Sequence, residues 1–198
     1  MEDVLHPRFT ADGFFPPGRY SVTMDEAQAL LVDAERFRSS ARRSELWSKF
    51  QEYIGNFVLL EDQYEEILEG RALIHRIWLG GSFVSVKPDP RNIDATLLID
   101  EAAEKSIRRN PGSKWLTRAF QSRENMRQKF GVSPVRIGYR TVPHVFEAKM
   151  LTAEDAGYFR ERGVWDDWWQ RCRLRDGSDP APSAESAMPV RGYLEVRL

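Results

Sequence analysis

Two apolar runs separated by a glycine turn restrict the fold of this chain more than any other feature. Residues 72–79 form a β-rich run that ends at Gly80-Gly81, and residues 93–99 are nearly all apolar. A glycine pair typically ends a strand, and a continuous apolar run is typical of a strand that is buried on both faces. The two runs therefore predict the first and second strands of one sheet.

Helical signals precede these strands. Thr23 and Glu26 have the spacing of a capping box, so we expect a helix to begin just after Thr23. Either Ser39 or Ser44 is expected to cap a second, longer helix, because the apolar residues that follow keep helical spacing. Gly70 is expected to end that helix.

The remaining elements follow from the same kinds of pattern. Residues 101–129 predict helices with a break at 110–112, and residues 153–171 predict a partly helical segment. Residues 135–139 and 191–198 predict two more strands. Helices and strands in a chain of 198 residues indicate one α/β (α+β) domain.

Proline and glycine separate an arm from this domain. Three prolines and Gly18 prevent regular helix near the start, so residues 1–22 are expected to form an extended N-terminal arm. Residues 23–198 are expected to form the single domain. Within it, residues 177–190 are rich in Ser, Pro, Ala and Asp, which predicts a mobile loop.

Charge and cysteine content exclude several classes of protein. A net charge of −1 gives no overall attraction to nucleic acid or to anionic membranes, so any such binding needs a local patch. The single cysteine, Cys172, excludes an internal disulfide framework and a cysteine-rich zinc site, and it favours a cytoplasmic setting. No run approaches the roughly 18 apolar residues that a membrane span requires, and no signal peptide is expected.

The segment between the two central strands carries the candidate chemistry. The turn Gly80-Gly81-Ser82 lets the backbone approach an anion without interference from a Cβ atom. If Ser82 opens a short helix, its N–H groups and its dipole point at a phosphate. Asn92 and Asp94 are two apart on a strand and face the same side, so they could hold magnesium against a triphosphate.

This segment resembles the minimal nucleotidyltransferases, which are related to the polymerase-beta superfamily. The shared pattern is an apolar strand followed by Gly81-Ser82, a short connection and a polar residue two positions before Asp94. The similarity extends to a small bacterial and phage branch. Further landmarks of that branch lie in the arm, after the glycine turn and in the tail: Pro16–Gly18, Phe83-Val84, Lys87-Pro88, Trp168–Arg173, Asp176-Gly177 and Arg191–Val196. The resemblance covers most of the chain.

The resemblance implies a mixed sheet flanked by helices, with Mg²⁺ and a nucleoside triphosphate as ligands. It also implies which residues bind them. These are Gly80, Gly81, Ser82 and Lys87 for the phosphates, and Asn92 and Asp94 for the metal and for catalysis.

Two departures from the family pattern weaken the implied metal centre. Asn92 stands where the family has an aspartate, which removes one negative charge from the pocket. A third acid usually follows a Phe-Gly pair on a later strand, whereas the pair in this chain is followed by Val132-Ser133. Glu147 and Glu195 remain candidates for that third acid.

Three functions remain open at this point. The first is a nucleotide-binding or partner-binding component with a partly degenerate metal site, for which the resemblance suggests a toxin–antitoxin or phage-defence context. The second is an active Mg²⁺-dependent nucleotidyltransferase that moves a nucleoside monophosphate to a protein or RNA hydroxyl. The third is an RNA-binding module that uses a basic stretch. The residues of this basic stretch are Arg108, Arg109, Lys114, Arg118, Arg123 and Arg127.

An acidic cluster balances the basic stretch. Opposed charge patches of this kind favour self-association or a protein partner, so the sequence also predicts a homo-oligomer or a heteromeric complex. The cluster consists of Glu61, Asp62, Glu65, Glu66 and Glu69.

Overall fold

Five strands form one mixed sheet in the computed structural model, which describes residues 7–173 and 178–198. In spatial order the strands run β1-β5-β2-β3-β4. The β1–β5 and β3–β4 pairs are parallel, whereas β2 is antiparallel to both β3 and β5. The strands are β1 (Gly18–Thr23), β2 (Ile74–Gly80), β3 (Ile93–Asp100), β4 (Val132–Tyr139) and β5 (Gly192–Arg197).

Seven α-helices accompany the sheet in the part of the chain that the structure describes, and together they confirm the predicted mixed α/β class. Short π- and 3₁₀-helical turns continue or connect several of them. The α-helices are α1 (Met24–Gln28), α2 (Ala41–Gln63), α3 (Glu65–Leu68), α4 (Glu101–Ile107), α5 (Lys114–Gln121), α6 (Arg123–Phe130) and α7 (Ala153–Trp169).

Side-chain caps explain where the first two helices begin. The predicted capping box of α1 is confirmed, since the Glu26 amide donates to Thr23 Oγ1 at 3.2 Å and the Thr23 amide donates to Glu26 Oε2 at 2.6 Å. The cap of α2 is neither Ser39 nor Ser44 but Ser40, whose Oγ accepts from the Arg43 amide. Ser40 has the extended backbone that a capping residue needs.

The end of α2 also differs from the prediction. The helix ends at Gln63, and the separate short helix α3 follows before Gly70. Gly70 adopts a left-handed φ of 77° and so reverses the chain toward β2. The predicted break within residues 101–129 is confirmed, and a second break occurs at Ser122, which caps α6.

The two faces of the sheet carry different layers. On one face, aromatic residues of α2, including Phe50 and Phe57, belong to the main core together with Leu79, Leu97 and Leu194. On the other face, residues of α7 join a smaller cluster. That cluster contains Trp78, Leu98, Ile137, Tyr158, Trp169 and Tyr193. The sheet is therefore covered on both sides, as its apolar strands require.

The arm predicted over residues 1–22 contributes a strand that the sequence patterns did not predict. Gly18–Thr23 pairs with β5 along its whole length, and Val22 within it is buried. Residues 1–6 of the arm lie outside the described residues, as do residues 174–177, which include the Asp176-Gly177 landmark and the first residue of the expected loop. Within the described ranges, no helix is both long and apolar enough to cross a bilayer.

Candidate functional site

The glycine turn brings the backbone against Asp94. Strand β2 ends at Gly80, which pairs in register with Asp94 of the neighbouring β3. Gly81 follows with a left-handed φ of 66°, and a Cβ atom at this position would overlap the Asp94 carboxylate. Glycine is therefore required here both for the backbone conformation and for the space that the carboxylate occupies.

Asp94 is held by two neighbours. Asn92 Nδ2 donates to Asp94 Oδ1 at 2.9 Å, and Arg123 Nη2 donates to the same oxygen at 3.2 Å. The Asp94 side chain is 21% exposed. Burial raises the pKa of Asp94, while the hydrogen bond from Asn92 and the charge of Arg123 act in the opposite direction.

Arg191 lies on another side of the same turn. Its Nη2 donates to the carbonyl oxygen of Gly81 and, at 3.4 Å, to that of Val84. The guanidinium also lies over the ring of Phe14 at 5.0 Å. Its Nε is buried without a hydrogen-bond partner among the described residues. Burial lowers the pKa of Arg191, whereas Cys172 and Asp94 raise it.

Arg43 of α2 binds the residues that follow the glycine turn, and it does so from inside the core. Its side chain is fully buried and lies over the ring of Phe37 at 3.7 Å. Burial lowers the pKa of Arg43 to about 10, although the charge of Asp89 raises it. The hydrogen bonds of its guanidinium group all go to backbone carbonyl oxygens, which belong to Leu31, Phe83, Ser85, Lys87 and Pro88.

Two buried cations thus fix the segment that we call the 81–88 loop. Arg43 and Arg191 take up carbonyl oxygens along this loop, and neither forms an ion pair with a carboxylate of the described chain. Their positive charges lie next to the glycine turn in a region with little water to screen them. The two guanidinium groups therefore place positive charge beside the loop, with the carboxylates of Asp89 and Asp94 acting on them from beyond ion-pair distance.

In the described structure, one oxygen of the predicted metal ligand Asp94 is already engaged by hydrogen bonds. Asp94 is bound by a guanidinium, and Asn92 directs its amide N–H at it. The β3–β4 register places Ser133 beside Asp94, where a third acid on the adjacent strand would stand. No group of three potential ligands from His, Cys, Asp or Glu occurs within residues 7–173 and 178–198. The magnesium remains a prediction.

Both candidates for the third acid are engaged elsewhere. Glu147 lies in an exposed turn and pairs with His144 Nδ1 at 3.3 Å. Glu195 of β5 accepts from Trp78 Nε1 at 2.9 Å and lies 3.7 Å from Arg19 Nε. Neither carboxylate joins Asp94 among the contacts of the described chain.

Ser82 and Lys87 are placed less favourably for binding a phosphate than the sequence predicted. Ser82 does not open a regular helix, because the turn Gly81–Phe83 is a single 3₁₀ turn of three residues. This short turn therefore lacks the aligned dipole that a longer helix would direct at a phosphate. Among the described residues the Ser82 hydroxyl makes no hydrogen bond, and Lys87 contributes its carbonyl oxygen to Arg43 while its side chain is exposed.

The basic stretch forms an exposed surface on the helices α4–α6 and their connections. All six of its side chains are exposed, and only Arg123 reaches the Asp94 carboxylate. Arg108 pairs with Glu104 at 3.4 Å, and Arg127 pairs with Glu124, so part of the positive charge is neutralised locally.

The sequence analysis missed both Arg43 and Arg191 as site residues. Arg43 had one usable signal, since it occupies a position on the apolar face of α2 together with Leu46, Trp47 and Phe50. A charged residue on such a face must find buried partners. Arg191 had no local signal, because its partners lie more than a hundred residues earlier in the chain.

Comparison with known proteins gives a family without an assigned function. Residues 7–196 match the profile of the family described as "Family of unknown function (DUF6932)". No curated protein and no solved structure is significantly similar to the chain.

Proposed function

Because the chain belongs to this family of unknown function, we propose from its site geometry that it is a nucleotide-binding protein of the nucleotidyltransferase type. In this proposal guanidinium groups, rather than a complete magnesium centre, supply the positive charge that the phosphates require. The predicted nucleoside triphosphate is the ligand, and the predicted toxin–antitoxin or phage-defence context and cytoplasmic setting remain compatible with it.

One observation carries the proposal. Arg43 and Arg191 are buried against the 81–88 loop without an ion pair to a carboxylate of the described chain, although Asp89 and Asp94 act on them from further away, and Arg123 binds Asp94. Burying a guanidinium whose nearest acids lie beyond ion-pair distance is costly, and a bound anion would offset part of that cost. A phosphate at the glycine turn would be attracted without any metal.

Calorimetric titration tests this proposal. ATP, GTP, CTP and UTP are each added to the full chain, once with magnesium and once with EDTA. We expect at least one nucleotide to bind with a dissociation constant that changes less than about threefold when magnesium is removed, because the guanidinium charges do not depend on the metal.

Substitution of Asp94 distinguishes this proposal from an active enzyme. Asp94→Asn keeps the size of the side chain and removes its negative charge, so binding of the nucleotide should be retained or strengthened. Arg123→Ala should weaken binding by about 10-fold, since one guanidinium is lost and the acid is uncovered. Arg118→Ala, an exposed change on α5, is the matched control and should have no effect.

Two results would overturn the proposal. Binding that requires magnesium and disappears in Asp94→Asn would identify an active Mg²⁺-dependent nucleotidyltransferase. If none of the four nucleotides bound, the site would have no role in nucleotide binding.

A second candidate function, RNA binding, is favoured by the position of Arg123. This residue belongs to the exposed basic stretch and also contacts the Asp94 site, so an RNA phosphate on α6 would lie next to the glycine turn. Salt-dependent RNA binding that is reduced by Arg118→Ala and Arg127→Ala together, with no nucleotide binding, would support this candidate instead.

A further inference from the structure

Residues 10–14 of the N-terminal arm form a compact turn, which we call the hook. The Gly13 amide donates to the carbonyl oxygen of Thr10 at 3.0 Å and closes the turn. At the base of the hook, the rings of Phe9 and Phe15 stack with their centroids 4.2 Å apart, and Phe15 is fully buried in the main core. The base of the hook is therefore anchored in the domain.

The hook contacts the 81–88 loop directly. The Val86 amide donates to the carbonyl oxygen of Gly13 at 2.9 Å. Gly13 is buried with a left-handed φ of 81°, and a Cβ atom at this position would overlap Cγ2 of Val86. Glycine therefore allows the backbone of the hook to lie this close to the loop. The loop is thus held by the arm as well as by Arg43 and Arg191.

Phe14 of the hook packs against the guanidinium of Arg191. The Arg191 Cζ atom lies 5.0 Å from the centre of the Phe14 ring. Phe14 is half-buried, and it belongs to neither of the two apolar clusters of the described chain. Core packing therefore does not explain this aromatic residue. A cation–π contact does, because it holds in place the guanidinium that binds the carbonyl oxygen of Gly81.

We propose that Gly13 and Phe14 are positioning residues of the nucleotide site at Gly81, so that the N-terminal arm is part of that site. Gly13 acts through its hydrogen bond with the 81–88 loop, and Phe14 acts through Arg191. The inference rests on the nucleotide binding proposed above, and it assigns a role in that binding to a segment at the other end of the chain from β5.

The physical basis of this role is preorganisation. Without the contacts of the hook, the irregular loop would populate other arrangements, and the apparent affinity for the nucleotide would fall with the fraction of chains in the binding arrangement. The coupling is reciprocal by thermodynamic necessity. A nucleotide that binds this arrangement must therefore stabilise the contacts of the hook by the same factor.

Two substitutions of Phe14 test its action through Arg191, with calorimetric titration of ATP, GTP, CTP and UTP into the full chain. Phe14→Leu keeps an apolar side chain but removes the ring, and it should weaken binding by about fivefold. Phe14→Tyr keeps the ring and should bind within about twofold of the natural chain. A merely apolar contact would be kept by leucine. Phe146→Leu, at a residue that is 99% exposed, is the matched control and should have no effect.

Gly13→Ala tests the contact with the loop. It places a methyl group against Val86 and should weaken nucleotide binding by about 10-fold. Gly70→Ala is the matched control, because Gly70 has a similar φ of 77° but open space around it, and its affinity should be unchanged. Hydrogen exchange of the Val86 amide, followed by NMR, should be faster in Gly13→Ala. In the natural chain it should be slowed by saturating nucleotide.

The outcomes separate this inference from the proposed function. Equal nucleotide affinity in the natural chain, Phe14→Leu and Gly13→Ala would overturn the role of the hook and leave the nucleotide site in place. Equal losses in Phe14→Leu and Phe14→Tyr would overturn the role of the ring, and a Val86 amide that does not respond to nucleotide would overturn the coupling. If none of the four nucleotides bound the natural chain, the proposed function and this inference would both be overturned.

Discussion

At the scale of single residues, the most informative feature is a pair of buried guanidinium groups that bind carbonyl oxygens instead of carboxylates. Arg43 reaches five carbonyl groups, four of which belong to the 81–88 loop, and Arg191 reaches two more in that loop. An irregular loop has carbonyl groups without partners from a helix or a sheet, and a guanidinium with five N–H donors satisfies several of them at once. The loop is thereby held rigid beside the candidate site.

Replacing Arg43 should therefore destabilise the whole chain. Arg43→Met keeps much of the side-chain volume but leaves several buried carbonyl groups without a donor, each of which carries a cost of its own. We expect the free energy of unfolding to fall by roughly 3 kcal/mol or more in urea denaturation. Arg118→Met, an exposed change of the same chemistry, should alter it by less than about 0.5 kcal/mol. Equal effects from the two variants would contradict the role given to Arg43.

The stability effect of Asp94 should depend on pH in a defined direction. Burial raises the pKa of Asp94 in the folded state, so its protonated form favours folding at low pH and this contribution is lost as the pH rises through the folded pKa. Asp94→Asn is uncharged at every pH. Its stability relative to the natural chain should therefore increase between about pH 4 and pH 7. Urea denaturation of both proteins across this range provides the measurement, and a decrease would contradict the stated sign.

At the scale of elements, local sequence patterns predicted much of the fold. The strands β2, β3, β4 and β5 were predicted because their apolar residues mark them in short windows, and the α1 cap was predicted from two residues three apart. The strand β1 was not predicted, because Gly18–Thr23 directly follows two prolines and its partner β5 lies at the other end of the chain. Pairing across such a distance in the chain has no local signature.

The contacts of the candidate site likewise fall into those that local sequence predicts and those that it does not. The contact between Asn92 and Asp94 follows from spacing along one chain segment, and the glycine turn follows from composition. Arg123 and Arg191 reach the site only through the packing of α6 and through the segment before β5. Periodicity therefore could not predict which charges surround Asp94, and those charges are the basis of our proposal that guanidinium groups bind the phosphates.

The glycine turn provides an element-scale prediction with a matched control. Gly81 and Gly70 both have a left-handed φ, of 66° and 77°, but only at Gly81 would a Cβ atom overlap another group, the Asp94 carboxylate. Gly70→Ala should cost about 1 kcal/mol from backbone strain alone. Gly81→Ala should cost measurably more and should weaken nucleotide binding by displacing Asp94. Urea denaturation and calorimetry provide the two measurements, and equal costs for the two variants would show that the turn is not pressed against Asp94.

At the scale of the whole molecule, the sheet is completed by the last strand along the chain. Strand β5 lies between β1 and β2, and β1 pairs with no other strand in the part of the chain that the structure describes. Tyr193, Leu194 and Val196 of β5 are fully buried and belong to the cores on both faces. Neither core is complete without this strand, so the two layers and the edge strand depend on one short segment.

Removal of β5 should therefore abolish cooperative folding rather than merely weaken it. Deleting residues 192–198 removes three fully buried side chains, each of which is worth roughly 2–5 kcal/mol in a core, against a total stability of about 5–15 kcal/mol for an ordinary domain. It also leaves β1 without a partner and opens one side of β2. We expect loss of the sigmoidal urea transition and of near-ultraviolet circular dichroism. Deleting only Leu198, which is 56% exposed, should leave both intact. A shortened chain that still unfolded cooperatively would mean that β2, β3 and β4 form a sufficient core with the helices, and that β1 and β5 are an addition to it.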